Sequence, residues 1–301
     1  MILLRMTTQR DSLAARIERL AVGEGSTETA VPGLRVFRAT EPVGPFAVEY
    51  QPCLCVVGQG RKAATVGAQT CEYDPDQYLV VALPLPVSAR IIEASREQPF
   101  LSMVLAIDVA ELGQLLMAMP DEPEPERAPS TAMWVSSIEP RLRDAVLRLL
   151  QAAEDPTEAR VLGPGIVREI LFHVLGGDQG ALLRSLALRN GHGQRVVRAI
   201  RFMQDHYEQA LDVATIAKSV GVSASRLQHV FKDVTGLSPI QYLKRVRLHR
   251  AHVMILTEGL GAGEAAFRVG YGSPSQFSRE FKRQFGLSPS HAVREQQGTT
   301  A

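Results

Sequence analysis

An internal repeat sets the tightest limit on what this chain can fold into. Residues 217–239 read AKSVGVSASRLQHVFKDVTGLSP, and residues 266–290 read AFRVGYGSPSQFSREFKRQFGLSPS. Phe231-Lys232 and Gly236-Leu237-Ser238-Pro239 recur fifty positions later as Phe281-Lys282 and Gly286-Leu287-Ser288-Pro289. Self-similarity at a fixed period marks one supersecondary unit used twice. Nearer the N-terminus of each copy the register slips by one residue, which a turn absorbs without disturbing either helix: Gly221 to Leu227 is six residues and Gly270 to Phe277 seven.

Each copy reads as a short helix, a turn at glycine, a second helix and a GLSP stop. Ile216, Ala217 and Val220 give the first helix an apolar face, and Gly221 takes the positive φ that a sharp helix exit demands. Ser223 and Ser273 stand where N-caps belong. The second helix places Leu227, Val230 and Phe231 in one copy, and Phe277 and Phe281 in the other, at the spacing of one buried face. What remains outward is polar: Ser225, Arg226, Gln228, His229 and Lys232, then Ser275, Gln276, Ser278, Arg279, Lys282 and Arg283. A helix-turn-helix presents its second helix to the major groove, where Arg, Gln and Ser read base edges. One copy alone fits a solvated helical hairpin equally well, and it is the second copy that favours nucleic acid. Between the copies Ile240 to Leu256 carries Leu243, Val246, Val253 and Leu256 with no Gly or Pro. That predicts one continuous helix of about 25 Å, able to hold two reading heads about one DNA turn, roughly 34 Å, apart.

The double repeat, the linking helix and the run GYGSPSQFSREFKRQFGLSP resemble the DNA-binding region of the AraC/XylS family of bacterial transcription regulators, from Val196 to about Arg294. The resemblance implies that both second helices enter adjacent major grooves, putting Ser225, Arg226, Gln228 and His229, and Ser275, Gln276, Ser278 and Arg279, against DNA. RNA polymerase as a partner is implied in the same way. The first copy departs from the commoner pattern at Leu227, where many members carry Phe, and at Val222, where the second copy has Tyr271. Both departures are apolar.

Charge agrees with this division of labour. From Asn190 onward there are 15 Lys and Arg against 8 Asp and Glu, while residues 1–189 hold 18 against 24. A basic C-terminal third suits a polyanion and an acidic remainder does not. No run approaches the twenty apolar residues of a membrane span, and three cysteines argue against a disulfide framework, so a reducing, cytoplasmic setting is expected.

Upstream, Ser12 to Val22 has Leu13, Ile17 and Leu20 at helical spacing, before a loop over Gly23 to Thr29. From Val31 the pattern turns to short β-branched and aromatic runs: 34–37, 46–50, 54–57, 64–66, 78–83, 89–92 and 101–107. Breaks at Gly58-Gln59-Gly60, Gly67-Ala68 and Asp74-Pro75-Asp76 predict hairpin turns, and the whole a small antiparallel barrel or sandwich. The run PCLCVVGQGRKAATVGAQTCEYDPDQYLVVALPLPV, with a helix starting near Asp108, resembles the cupin-like sensing domain of one branch of the same family. A helix over Val109–Met119, an exposed loop over Pro120–Pro129, and two amphipathic helices, Arg141–Ala153 and Pro164–Leu175, follow. Those two helices either pack on the barrel or form a dimer interface, and the resemblance favours a homodimer. Gly176 to Gln194 reads as the connection, and Val196, Ile200, Met203 and Tyr207 as the first helix of the second domain.

Chemistry in the first domain is limited. Its strands contain no histidine, the first being His173, so a metal held on imidazoles is excluded and no cofactor is expected. His249 and His252 lack Cys or carboxylate partners in sequence, which predicts solvated or phosphate-facing roles and no metal site. Cys53 and Cys55 alternate on one strand and share a side, and Cys71 lies on a later strand. The three form either a thiol sensor, with Lys62 or Arg61 lowering one pKa, or ordinary small core residues.

The expectation is therefore an α+β chain of two domains. Residues 1–180 form a cupin-like β-barrel with appended helices, for sensing and dimerisation, and residues 195–295 an all-α double helix-turn-helix. The function expected is that of a sequence-specific transcription regulator, an activator, which answers to a small molecule or reactive electrophile and performs no reaction. The competing readings are a constitutive DNA-binding protein without effector, and an enzyme targeted to DNA whose strand-region carboxylates would be Glu49, Glu72 and Asp74.

Overall fold

The computed structural model describes residues 12–119, 131–177, 180, 183–184 and 192–293. Helix α1 (Leu13–Leu20) opens it, its first turn closed by the Ser12 hydroxyl accepting from Ala15 N at 3.2 Å. The apolar runs then become strands: β1 (Gly25–Glu28), β2 (Leu34–Ala39), β3 (Val43–Tyr50), β4 (Cys53–Gln59), β5 (Arg61–Val66), β6 (Gln69–Tyr73), β7 (Gln77–Val81), β8 (Leu85–Glu93) and β9 (Phe100–Ala106). After α2 (Val109–Met117), capped by Asp108, come β10 (Met133–Ser137), α3 (Pro140–Ala152), α4 (Pro156–Val161) and α5 (Gly163–Gly176).

The strands form two antiparallel sheets, one of six in the order β1-β2-β9-β4-β7-β10 and one of four in the order β3-β8-β5-β6. Of the barrel and sandwich expected, the strands form two sheets rather than one closed barrel, because two of the three expected hairpins change sheet. The bend at Gly60 carries β4 of one sheet into β5 of the other, and Asp74-Pro75-Asp76 carries β6 back to β7. Only Gly67-Ala68 closes a hairpin, with Val66 facing Gln69. The loop expected over Gly23–Thr29 contains β1, a polar edge strand whose ladder to β2 pairs Thr27 with Val36. Strand β10 and helix α4 were likewise not anticipated. Strand β4 is buried over its first five residues because one face meets the other sheet and the opposite face lies under α1. The expected loop over 120–130 and most of the connection over 176–194 lie outside the described residues.

The C-terminal part is helical: α6 (His192–Asp205), α7 (Val213–Ser219), α8 (Ala224–Thr235), α9 (Pro239–Glu258), α10 (Ala262–Arg268) and α11 (Pro274–Phe285). The two parts are not separately cored. One apolar cluster runs from the sheets through Val196, Ile216, Leu227 and Phe231 to Val246, while the second repeat has its own, built on Leu248, Ile255, Phe277 and Phe281. Helix α9 lies against β3 and β8. There Tyr242 Oη donates to Pro84 O at 3.0 Å, and Arg245 Nη1 donates to Pro86 O at 3.3 Å. Gln204 Nε2 donates to Glu49 Oε1 at 2.8 Å, and Ala132 N to Val234 O at 2.6 Å. The hairpin at Gly67 comes so close to the first repeat that a Cβ there would collide with Gly236 O.

Candidate nucleic-acid interface

The two repeats fold into the same unit from the same local devices. In the first, Asp212 caps α7, Gly221 turns the chain at φ +71°, and Ser223 Oγ accepts from Arg226 N at 3.2 Å to start α8. In the second, Gly270 turns at φ +82° and Ser273 Oγ accepts from Gln276 N at 3.3 Å to start α11. Val222 N bonds Ala217 O at 3.1 Å, and Tyr271 N bonds Ala266 O at 3.0 Å. These equivalent bonds locate the register slip: Ser223 follows Val222 directly, whereas Gly272 intervenes between Tyr271 and Ser273. Both second helices end at a left-handed glycine, Gly236 and Gly286, and Ser238 then starts α9 with a reciprocal capping box to Gln241.

Helix α8 buries Leu227 and Phe231, with Val230 half-buried, and α11 buries Phe277 and Phe281. Opposite these faces Ser225, Arg226, Gln228, His229 and Lys232 are exposed, as are Ser275, Ser278, Arg279 and Lys282. His229 Nε2 sits 3.2 Å from Asp233 Oδ2 on the next turn of α8. Gln276 differs from its neighbours. It is half-buried and its Nε2 donates to Glu280 Oε1 at 3.1 Å.

Glu280 is a residue that pattern reading passed over. It accepts from Lys244 Nζ at 2.7 Å and from Tyr271 Oη at 2.7 Å as well as from Gln276, tying α9 and the turn to α11. Burial pushes its carboxyl up, but these three donors outweigh burial and hold it below the usual carboxylate range. An acid alone among the basic and polar outward positions of α11 was the available signal.

Helix α9 is the continuous helix expected, running from Pro239 to Glu258. Val253 and Leu256 are 41% and 43% exposed, and the buried positions are Pro239, Tyr242, Leu243, Val246, Leu248, Ala251 and Ile255. A helix packed on two heads and a sheet is buried around its circumference, so it has no single apolar stripe to read. The two histidines on it are half-buried rather than fully solvated. His252 packs against the Phe285 ring, centroids 4.3 Å apart, and His249 Nδ1 is buried without a hydrogen-bond partner. Burial lowers the pKa of both. Among the described residues no cluster of His, Cys, Asp or Glu could hold a metal ion.

In the sheet domain Cys53 and Cys55 share a side as expected, with sulfurs 3.8 Å apart, and all three cysteines are buried free thiols. The Cys53–Cys55 hydrogen bond raises Cys53 and lowers Cys55. Lys62 also lowers Cys55. Of the two cations considered for these thiols, Lys62 points inward, while Arg61 is exposed and paired with Glu93. Cys71 stands apart on β6, its thiol accepting from Gln69 Nε2 at 3.6 Å and raised by burial.

The comparisons with known proteins agree with this geometry. The family pattern for the AraC-type transcriptional regulator N-terminus matches residues 30–182, just over half of the chain. The chain belongs to the AraC-type transcriptional regulators. The family pattern described as a helix-turn-helix domain matches residues 216–295, which takes in most of α7 and everything from α8 through α11. Among curated members, the virulence regulon transcriptional activator VirF of Yersinia enterocolitica is 27% identical over 167 residues, 56% of this chain and 61% of VirF. The activator RhaS of Klebsiella pneumoniae is 33% identical over 125 residues, 40% of this chain and 44% of RhaS. The chain thus spans less than two thirds of the length of these relatives. In fold, this AraC-type chain is similar to apo ToxT from Vibrio cholerae strain SCE256, with TM-score 0.59 and 10% identity over 90% of this chain and 98% of ToxT. It is also similar to ToxT bound to an unsaturated fatty acid, with TM-score 0.57 and 13% identity over 86% and 94%. Among the described residues no helix is long and apolar enough to cross a membrane.

Proposed function

We propose that this chain is a sequence-specific, DNA-binding transcription regulator, an activator like the relatives named above, whose sheet domain answers to a small molecule. The observation that carries this is the pair of helix-turn-helix units on one 20-residue helix, each with its apolar face buried and its polar face open. At 1.5 Å per residue α9 spans about 30 Å, close to the roughly 34 Å between successive major grooves on one face of DNA. Ser225, Arg226, Gln228 and His229 read one groove, and Ser275, Ser278 and Arg279 the next. Lys232 and Lys282, at the far ends of the same faces, bind phosphate. Gln276 reaches a base only by exchanging its bond to Glu280.

The sheet domain controls the heads through α9, which Tyr242 and Arg245 fasten to Pro84 and Pro86. A ligand that moves β8 shifts the spacing of the heads by way of these two bonds. A homodimer and contact with RNA polymerase are further parts of the proposal, drawn from the family. The buried Cys53–Cys55 pair is the place where a reactive electrophile would act. No reaction is assigned. The competing enzyme reading needs converging carboxylates between the sheets, but Glu49 is engaged with Gln204 at the domain boundary, and Glu72 and Asp74 do not point into the core.

The test is selection from a pool of random duplexes by the intact chain. The proposal expects an enriched site with two conserved blocks about 10 base pairs apart, bound at least about a thousandfold more tightly than random DNA. Recovery of no common sequence would remove it.

A further inference from the structure

Lys62 is only 8% exposed, and among the described residues no carboxylate pairs with it. Its ammonium lies between the two sheets, 5.8 Å from the centre of the Phe37 ring on β2, 5.9 Å from that of Phe46 and 5.6 Å from that of Tyr50, both on β3. Close by, the Tyr50 hydroxyl is buried with the Tyr73 hydroxyl beside it, but has no partner at hydrogen-bond geometry. Two buried donors that lack an acceptor therefore face one small region. Leaving such groups unmatched is costly, and ring faces return only part of what a buried ammonium loses. Phe37 and Phe46 are half-buried, so the region opens to solvent between strands of opposite sheets.

We propose that Lys62 and Tyr50 hold the carboxylate of an amphipathic monocarboxylic acid whose apolar part lies against Phe37 and Phe46. This names the class of effector for the regulator proposed above and rests on that reading. A single negative charge fits because one buried ammonium is available: Arg35, the other cation near Tyr50, is exposed and already paired with Glu28 at 3.8 Å, and the remaining walls include aromatic rings and the thiols of Cys53 and Cys55. A carboxylate has lone pairs for both donors at once. A doubly charged phosphate would leave one charge unmatched in an apolar mouth. Burial lowers the Lys62 pKa, and an arriving carboxylate would favour the charged form.

The test is calorimetric titration of the full chain with decanoate and hydrocinnamate, against decanol, hydrocinnamyl alcohol and inorganic phosphate. The acids should bind at least about tenfold more tightly than the matching alcohols, and phosphate not at all; tenfold corresponds to about 1.4 kcal/mol. Lys62→Met should remove that preference and, by deleting an unmatched buried charge, leave the thermal midpoint of the ligand-free chain equal or higher. Tyr50→Phe should weaken the acids several-fold without touching the alcohols. Alcohols binding as well as acids, phosphate binding as well as either, or acid affinity unchanged in Lys62→Met would each overturn the assignment. Should Lys62→Met fail to fold, Tyr50→Phe decides by whether the acid-over-alcohol ratio falls. Failure to enrich any DNA sequence sinks the regulator reading instead, and these titrations still decide the site.

Discussion

Replacing Phe281 by Ala should unfold the second reading head and leave the first one standing. The ring is fully buried, its centroid 5.4 Å from Phe277, 4.5 Å from Phe285 and 5.6 Å from the His252 ring. Truncating a buried Phe costs about 3–5 kcal/mol. The cluster that must absorb this has ten buried residues, of which only Leu248, Ile255, Val269, Tyr271, Phe277 and Phe281 are large. A core of that size rarely supplies more than about 3–5 kcal/mol on its own, so the loss equals what the head has. The first head is insulated because Leu227 and Phe231 belong to the cluster that continues into the sheets. Hydrogen exchange read by mass spectrometry should show protection lost over 262–293 and kept over 213–235, with Phe281→Leu, which removes less buried volume than Ala does, as the milder control. Equal loss in both heads would refute the division into two clusters, and no loss would mean that Phe281 is not core.

Other consequences follow from the same geometry. Arg279→Ala should cost about 1–3 kcal/mol on the selected duplex and relax one or two base positions; an equal loss on random DNA, measured by fluorescence anisotropy, would reassign Arg279 to phosphate. Tyr242→Phe removes the bond to Pro84 and should cost about 1 kcal/mol of domain docking, seen as faster exchange along β8 with both heads still protected. His249 and His252 are held below their ordinary pKa by burial, so the folded chain prefers them neutral. Their neutral forms support the fold above about pH 6.5, and that support is lost as pH falls toward the lower folded values. Glu49 and Arg250 face His249, and His249 faces His252. The thermal midpoint of the C-terminal part should drop between pH 7.5 and 5.5 by less in a His249→Gln variant than in the parent chain.

The parts that could be read ahead are those fixed by local chemistry. Ser223 and Ser273 cap their helices, Gly221 and Gly270 take positive φ, and Phe277 and Phe281 lie on one buried face, because each depends on residues within one or two turns. Strand β1 was hidden because GSTE is a polar edge whose pairing is set by β2, with no apolar alternation of its own. Which face of α9 is buried was not legible, because the helix packs on both heads and a sheet; Val253 and Leu256 prove exposed while Leu243 and Val246 are buried. Lys62 is the sharper case. In RKAATV it looks like any solvated lysine, and only the approach of Phe37 from the opposite sheet shows that it is enclosed. The bonds of Tyr242 and Arg245 to the sheet domain span more than 150 positions and leave no trace in either segment alone.

The central claim is that one chain reads two successive major grooves with two heads on a common helix. Methylation interference at guanine N7 on the selected duplex, with the intact chain, tests it most directly. The account predicts two groups of interfering bases, centred about 10 base pairs apart on the same face of the duplex, with Arg279→Ala erasing part of one group only. A single group, or two groups on opposite faces, would contradict it.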